Sequence, residues 1–111
     1  MPLFLTRGNY TQSAIAGMMA KPEDRAQAVG AALKSVGGKL HAMYNTLGEY
    51  DFLIVAEAPS EKDMISVLLV GAGTGSVANL NTTLAWPTSE WTDVFAKAQT
   101  LAKQFRPAGK G

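Results

Sequence analysis

The alternation of apolar and polar positions along the chain divides it into strands and helices. Two-residue alternation predicts strands over residues 2–9, 39–46, 51–58 and 77–86. A 3.6-residue apolar period predicts a helix that begins after Thr11 and is interrupted at Pro22, a second helix after Ser60, and a third over about residues 89–105. The predicted order is therefore strand, broken helix, strand, strand, helix, strand, helix.

The first six of these elements follow the βαββαβ order of ferredoxin-like domains, which predicts an α+β fold with a four-stranded antiparallel sheet. Right-handed crossovers place both internal helices on one face of such a sheet. The other face must be solvated, covered by the C-terminal helix, or buried against another subunit. We therefore predict a single domain over residues 2–106, a disordered tail over 107–111, and a homo-oligomer with a dimer as its basic unit.

A glycine-rich stretch at residues 66–76 permits two interpretations. An apolar strand feeding a glycine loop is typical of nucleotide binding, but Ser76 stands where the third glycine of that motif is required, and a strand follows instead of a helix. Upstream, Ser60 and Asp63 form a capping-box pattern that is typical of a helix start. We favour a helix with a glycine-rich exit and predict that this segment binds no nucleotide.

The loop between the second and third strands carries Gly48, Tyr50 and Asp51, with Glu49 interposed, and an apolar strand follows. In this motif the chain resembles the GYD-domain family, which is named for those three residue types. The remaining points of similarity, in order along about residues 2–86, are Asn9-Tyr10-Thr11-Gln12, Pro22, Arg25, Gly37-Gly38-Lys39, Tyr44, Thr46, Glu57-Ala58-Pro59 and Asn81-Thr82-Thr83-Leu84.

The resemblance implies a fold of the dimeric α/β-barrel type, in which ferredoxin-like domains associate in pairs. It implies no particular chemistry, because the family has no settled biochemical activity. Barrels of this type include enzymes, ligand sensors and accessory modules, so the fold does not decide the function.

Composition excludes several function classes. The 111 residues are 47% hydrophobic and 17% charged, with a net charge of +1, so a one-sided charge suited to nucleic acid or an anionic membrane is missing. The chain has no cysteine, which excludes disulfides, thiolate nucleophiles and thiolate metal sites. No signal peptide and no apolar run of ~20 residues is found, so we predict a cytoplasmic protein with no nucleic-acid or membrane partner.

Two residues are candidates for acid–base chemistry. His41 is the only histidine, and no carboxylate cluster lies near it in sequence, so we predict no metal site and no cofactor. An imidazole is a common general base near neutral pH, which makes His41 a candidate for that role. Tyr50 lies in the loop with Glu49 and Asp51. The structural alternative for this loop is that Gly48 supplies a positive φ angle and Asp51 caps backbone N–H groups.

Residue parity places several neutral or cationic groups on one face of the sheet: Arg7, Asn9, His41, Asn45 and Asn81. Such groups suit a small polar or anionic ligand on the face turned toward a partner subunit, and the alternative is a solvated face. Two function classes stay open. One is an oligomeric accessory module that binds a small polar molecule, and the other is a small cofactor-independent enzyme that uses His41 or Tyr50.

Overall fold

The computed structural model describes residues 1–109. Its elements, in chain order, are β1 (Leu3–Tyr10), α1 (Gln12–Ala20), α2 (Arg25–Ser35), β2 (Lys39–Asn45), β3 (Phe52–Glu57), α3 (Glu61–Gly73), β4 (Val77–Ala85), a 3₁₀ turn (Thr88–Trp91) and α4 (Thr92–Ala102). The predicted tail begins at Pro107, and its residues 110 and 111 lie outside the described residues. Within residues 1–109, no helix is long and apolar enough to cross a membrane.

The four strands form one antiparallel sheet in the order β2-β3-β1-β4. This order, with helices in the two crossovers, confirms the predicted ferredoxin-like α+β fold. The broken first helix is also confirmed, because α1 ends at Ala20 and α2 begins at Arg25, on either side of Pro22. A proline at this point removes a backbone donor and prevents one continuous helix.

The two helices predicted from their N-caps begin where expected. The Thr11 hydroxyl accepts a hydrogen bond from the Ala14 N–H at 3.2 Å, and the Ser60 hydroxyl accepts one from the Asp63 N–H at 3.1 Å. The Ser60 hydroxyl in turn donates to the Asp63 carboxylate at 2.9 Å, so the two side chains hold each other at the start of the helix. The glycine-rich stretch is therefore the end of α3, and the helical interpretation of this stretch is confirmed.

The core lies between the sheet and the helices α2 and α3. Every second residue of β1 and β3 is buried there, so this face of the sheet is the covered face. Its buried apolar side chains are Phe4, Leu33, Phe52, Ile54, Ala56, Ala58 and Met64. Thr6 is the one buried polar residue among the described residues, and its hydroxyl is hydrogen-bonded to that of Thr82 at 2.9 Å.

A bulge in β2 changes which side chains share a face. The pairing of β2 with β3 shifts between Leu40 and Ala42, so one extra residue, His41, is accommodated. Beyond the bulge Asn45 pairs with Phe52 and therefore lies on the covered face. The prediction that His41 and Asn45 share a face is wrong, because counting by twos assumes an unbroken strand.

The C-terminal helix leaves the body of the domain. The chain measures 65 × 31 × 21 Å with a radius of gyration of 18.7 Å, whereas a compact chain of this length would have roughly 13 Å. Every residue of α4 is exposed, and its neighbours are in the 3₁₀ turn before it. The sequence left three possibilities for the second face of the sheet: contact with solvent, cover by α4, or burial against another subunit. The structure excludes cover by this chain's own α4.

Candidate functional site

The second face of the sheet, which we call the open face, is not covered by any described element. Its centre is apolar and consists of side chains from the two inner strands: Leu3, Leu5, Leu53 and Val55. These residues are half-buried by their neighbours, whereas the alternate residues of the same strands are fully buried. The open face therefore has the composition of a surface that packs, without a packing partner in the chain.

Polar groups gather at one end of the open face. Arg7 pairs with Leu53 on one side and with Asn81 on the other, so these side chains are direct neighbours across the strands. Asn9 follows on the same strand and donates from its side-chain amide to the Glu49 carbonyl at 3.1 Å. Of the predicted ligand-binding residues, the structure brings Arg7, Asn9 and Asn81 together.

Arg7 borders a cavity of about 220 Å³, which we call the Arg7 cleft. The remainder of its lining comes from the β2–β3 loop and the start of β3: Thr46, Leu47, Glu49, Tyr50, Phe52 and Leu53. Within residues 1–109, Arg7 makes no ion pair or hydrogen bond through its guanidinium, although it is half-buried. A guanidinium has five donors, so an arginine in this state is a ready site for an anion.

The loop that completes the cleft is held by backbone contacts. Gly48 has a φ of +111°, a conformation that L side chains rarely adopt, which explains a glycine at this position. Asp51 accepts a hydrogen bond from the Tyr10 N–H at 2.9 Å and donates its own N–H to the Gly8 carbonyl at 2.8 Å. The Thr46 hydroxyl donates to the Tyr50 carbonyl at 2.6 Å. These bonds fix the loop against β1 and place Tyr50 and Glu49 at the cleft.

His41 lies at the opposite end of the open face. Its Nε2 is 3.0 Å from a carboxylate oxygen of Glu57, which pairs with Leu3. Leu3 and Arg7 are four residues apart on β1, so His41 lies roughly 13 Å from the Arg7 cleft along the strand. The structure therefore does not join His41 to Arg7, Asn9 and Asn81 in one site. Within the described residues, no group of three His, Asp or Glu side chains is placed to hold a metal ion.

On the covered face, Asn45 belongs to a cluster that parity did not predict. The Tyr10 hydroxyl donates to the Asn45 side-chain oxygen at 2.9 Å, and the Tyr10 ring packs on Phe52 with centroids 5.0 Å apart. Burial raises the pKa of Tyr10 above its ordinary value, and the nearby Arg25 partly opposes this. Tyr10 shares its parity with the buried Thr6 and Gly8, and that pattern was the available signal for its position.

Tyr10 and Arg25 also line a groove of about 320 Å³ whose other walls come from α1 and the start of β4. The cation of Arg25 is already engaged there, because its guanidinium is 3.0 Å from Glu23. The Tyr10 hydroxyl is likewise engaged by Asn45. Lys21 also lines the groove, so the groove has a second cation. We take the Arg7 cleft as the candidate binding site because it borders the uncovered face and its arginine makes no ion pair or hydrogen bond within residues 1–109.

Comparison with known proteins gives a family and a set of structural neighbours. The model of the GYD domain matches residues 4–95. Among solved structures, TTHA0845 from Thermus thermophilus has 18% identity and a TM-score of 0.49, and covers 78% of this chain and 95% of its own. FFRP-DM1 has 15% identity and a TM-score of 0.46 over 78% of this chain and 100% of its own. The hypothetical protein PHS023 from Pyrococcus horikoshii has 15% identity and a TM-score of 0.49, and covers 78% of this chain and 92% of its own. A search of the curated proteins found no match.

Proposed function

The chain belongs to the GYD-domain family, and from the geometry of its sheet we propose that it is a homodimeric accessory module that binds a small carboxylate in the Arg7 cleft. The observation that carries the proposal is the half-buried Arg7, which has no partner within residues 1–109 and lies at the edge of an uncovered apolar face. We also propose that the protein is cytoplasmic.

The apolar centre of the open face supports the dimer. Leu3, Leu5, Leu53 and Val55 form one continuous patch across the two inner strands. Burial of apolar surface contributes roughly 25 cal/mol per Å², so covering such a patch stabilises an assembly. A second copy of the same face is the complementary surface that is always present, and a two-fold axis pairs the patch with itself.

The chemistry of the Arg7 cleft selects the class of ligand. A guanidinium binds a carboxylate through two parallel hydrogen bonds. Asn81 pairs with Arg7 from the β4 side, outside the lining of the cleft. Glu49 also lines the cleft, and its carboxylate disfavours ligands with several negative charges. A cavity of about 220 Å³ is smaller than the ~300–1,000 Å³ of drug-sized sites, which favours a small monocarboxylate.

Two measurements on the purified full-length chain test this function. Light scattering is expected to give a mass of at least twice 11.7 kDa. Titration with lactate, followed by ¹H–¹⁵N NMR shifts because such ligands bind weakly, is expected to move the amide signals around Tyr50 in a saturable way. Arg7→Gln should abolish the saturation and leave the dimer intact.

Lys34→Gln removes an exposed cation of α2 and is the matched control, so it should titrate like the unmodified protein. A monomer mass at micromolar concentration would refute the dimer. Saturable shifts that survive in Arg7→Gln would refute the carboxylate site.

A second candidate function is a cofactor-independent enzyme. The observation in its favour is the 3.0 Å contact between His41 and Glu57, since a carboxylate that orients an imidazole is a common feature of general bases. Tyr50 lines the Arg7 cleft and is the alternative acid. Incubation with a panel of small hydroxy and keto acids tests this candidate: turnover that is lost in His41→Gln or Tyr50→Phe supports it, and no turnover by the unmodified protein contradicts it.

A further inference from the structure

We infer that α4 pairs with α4 of a second copy of this chain, in antiparallel orientation, with the two helices crossing at Ala98. This contact involves a surface separate from the open face, and it does not depend on the proposed dimer or its ligand. Four properties of the helix support the pairing: its exposure, the spacing of its apolar residues, the distribution of its charges and the area available.

The helix exposes an apolar stripe that no element within residues 1–109 covers. Its large members are Trp91, Val94, Phe95, Leu101 and Phe105, which are between 42% and 73% exposed. The backbone continues in helical form to Phe105, whose N–H donates to the Leu101 carbonyl at 2.9 Å. Ring contacts exist only near its base, where Trp91 lies 6.2 Å from Trp86 and 6.0 Å from Phe95 among the described residues. Beyond Phe95, the stripe faces solvent.

The spacing of the stripe is that of paired helices. Trp91, Ala98 and Phe105 recur every seven residues, and so do two further sets, Val94 with Leu101 and Phe95 with Ala102. A seven-residue repeat keeps one seam facing a partner helix along its whole length. Ala98 lies at the centre of this seam, with the larger side chains on both sides of it. A small residue at the crossing point permits the closest approach of two helices.

The charges favour an antiparallel arrangement. Glu90 and Asp93 lie at the start of the helical segment, and Lys103 and Arg106 lie at its end. Parallel pairing would align acids with acids, bases with bases, and the two helix dipoles side by side. Antiparallel pairing places the acidic start of each helix beside the basic end of the other. It also places large side chains of the two copies opposite each other: Trp91 of one copy lies beside Phe105 of the other, and Phe95 lies beside Leu101.

The area is sufficient for a specific contact. Aromatic side chains can bury 150–250 Å² each, so the five large residues together offer roughly 500 Å² in each copy. The pair would then bury roughly 1,000 Å², which is the lower limit for a specific protein–protein interface. A second copy is the one occupant that is present wherever the chain is made, and its seam has the same repeat.

Single cysteines test the pairing in the full-length chain, which has no cysteine of its own. At a crossing of two helices with axes 8–10 Å apart, the Ala98 Cα atoms of the two copies would lie roughly 4–5 Å apart. That is within the usual range for a disulfide, about 4.4–6.8 Å. Under mild oxidation at low protein concentration, most of Ala98→Cys is expected to convert to a covalent dimer. Ala96→Cys places the same group on the opposite side of the helix and should stay monomeric on a non-reducing gel.

The orientation is tested by a second pair of variants. In the antiparallel register Val94 lies level with Ala102 of the partner, so an equimolar mixture of Val94→Cys and Ala102→Cys should crosslink, whereas neither variant should crosslink alone. Because α4 is exposed along its length and packs chiefly on the 3₁₀ turn before it, circular dichroism should show an intact fold in every variant. Equal crosslinking of Ala98→Cys and Ala96→Cys, or none in either, would overturn the pairing. A covalent dimer from Val94→Cys alone would overturn the antiparallel orientation.

Discussion

The two faces of the sheet carry similar numbers of apolar residues, but only one of them is covered. On β3, Phe52, Ile54 and Ala56 are buried against the helices, and the alternate residues Leu53 and Val55 are half-buried on the open face. A strand that is apolar on both sides is typical of a sheet covered on both sides. The difference teaches that an apolar pattern on a strand does not by itself show that both faces are covered within the chain, and the proposed dimer would cover the second face.

The same contrast holds for the polar groups. On the covered face, the Thr6 hydroxyl is fully buried and hydrogen-bonded to that of Thr82. On the open face, Arg7 is half-buried and has no ion-pair partner within residues 1–109. Buried polar groups normally have hydrogen-bond partners, and the proposed ligand would supply one to Arg7. This is the physical basis of the proposed function.

The largest expected effect separates the two faces at adjacent residues of one strand. Phe52→Ala removes a fully buried ring and should lower the free energy of unfolding by about 3–5 kcal/mol. Leu53→Ala removes a half-buried side chain of the open face. Urea unfolding at two protein concentrations checks both variants. The decrease in the free energy of unfolding should be the same at the two concentrations for Phe52→Ala. For Leu53→Ala the decrease should change with protein concentration, because this substitution weakens association. A concentration-independent loss in Leu53→Ala would contradict an interface on this face.

A smaller effect is expected from added volume. A Cβ atom at Gly8 would lie 2.7 Å from the Phe52 ring and 2.8 Å from a Leu80 methyl group on the covered face. Gly8→Ala should therefore lower the free energy of unfolding by about 1–3 kcal/mol. Thr83→Val adds a similar side-chain volume on the open face. In thermal unfolding of the dissociated protein, this variant should change the free energy of unfolding by no more than about 0.5 kcal/mol. If Gly8→Ala and Thr83→Val lower the free energy of unfolding equally, both faces of the sheet are packed within one chain.

The next prediction concerns the loop that joins the two faces. Asp51 accepts a hydrogen bond from the Tyr10 N–H with a charged oxygen, and Asp51→Asn keeps the shape while it removes the charge. Hydrogen bonds to charged groups are worth about 1 kcal/mol more than neutral ones, so a loss of about 1 kcal/mol is expected in urea unfolding. Glu49→Gln, whose side chain makes no hydrogen bond or ion pair within the described residues, is the matched control. If Glu49→Gln lowers the free energy of unfolding as much as Asp51→Asn does, the stability of the loop depends on its net charge and not on the contact between Asp51 and Tyr10.

Much of the fold was predictable from the sequence because its signals are local. Thr11 and Ser60 cap helices through bonds to residues three positions away, Pro22 breaks a helix, and alternation marks the strands. The candidate site was predictable in part. Arg7 and Asn9 keep the parity of β1, and Asn81 pairs with Arg7, although the register between β1 and β4 shifts between Arg7 and Asn9.

The remaining site residues depended on features without a local signal. The bulge at His41 reverses the parity of β2, so Asn45 moves to the covered face, where it meets Tyr10. The pairing of a bulged strand is decided by its neighbour, β3, which is distant in sequence. Exposure of the whole of α4 also had no signal, because an amphipathic helix has the same pattern whether its own chain or another copy covers it.

The smallest effect at neutral pH belongs to Tyr10, and it should reverse in alkali. Tyr10→Phe removes the hydrogen bond to Asn45, which should lower the free energy of unfolding by less than about 1 kcal/mol, since the bond is exposed. Burial raises the pKa of the Tyr10 hydroxyl above 10.0, with Asp51 acting in the same direction. The folded state then holds this proton more tightly than the unfolded state does. The resulting stability is present below pH 10 and is lost as the pH rises through the pKa of the folded state.

Thermal unfolding between pH 8 and pH 11 measures this effect. The unmodified protein should lose stability above about pH 10, and Tyr10→Phe should lose less, so that the two curves converge or cross. Tyr44→Phe, on the exposed side of β2, is the matched control and should follow the unmodified protein, because Tyr10 is still present. Parallel curves for Tyr10→Phe and the unmodified protein would show that Tyr10 is not held on the covered face. The position of Asn45 would not change with that result, because its pairing with Phe52 places it on the covered face independently of Tyr10.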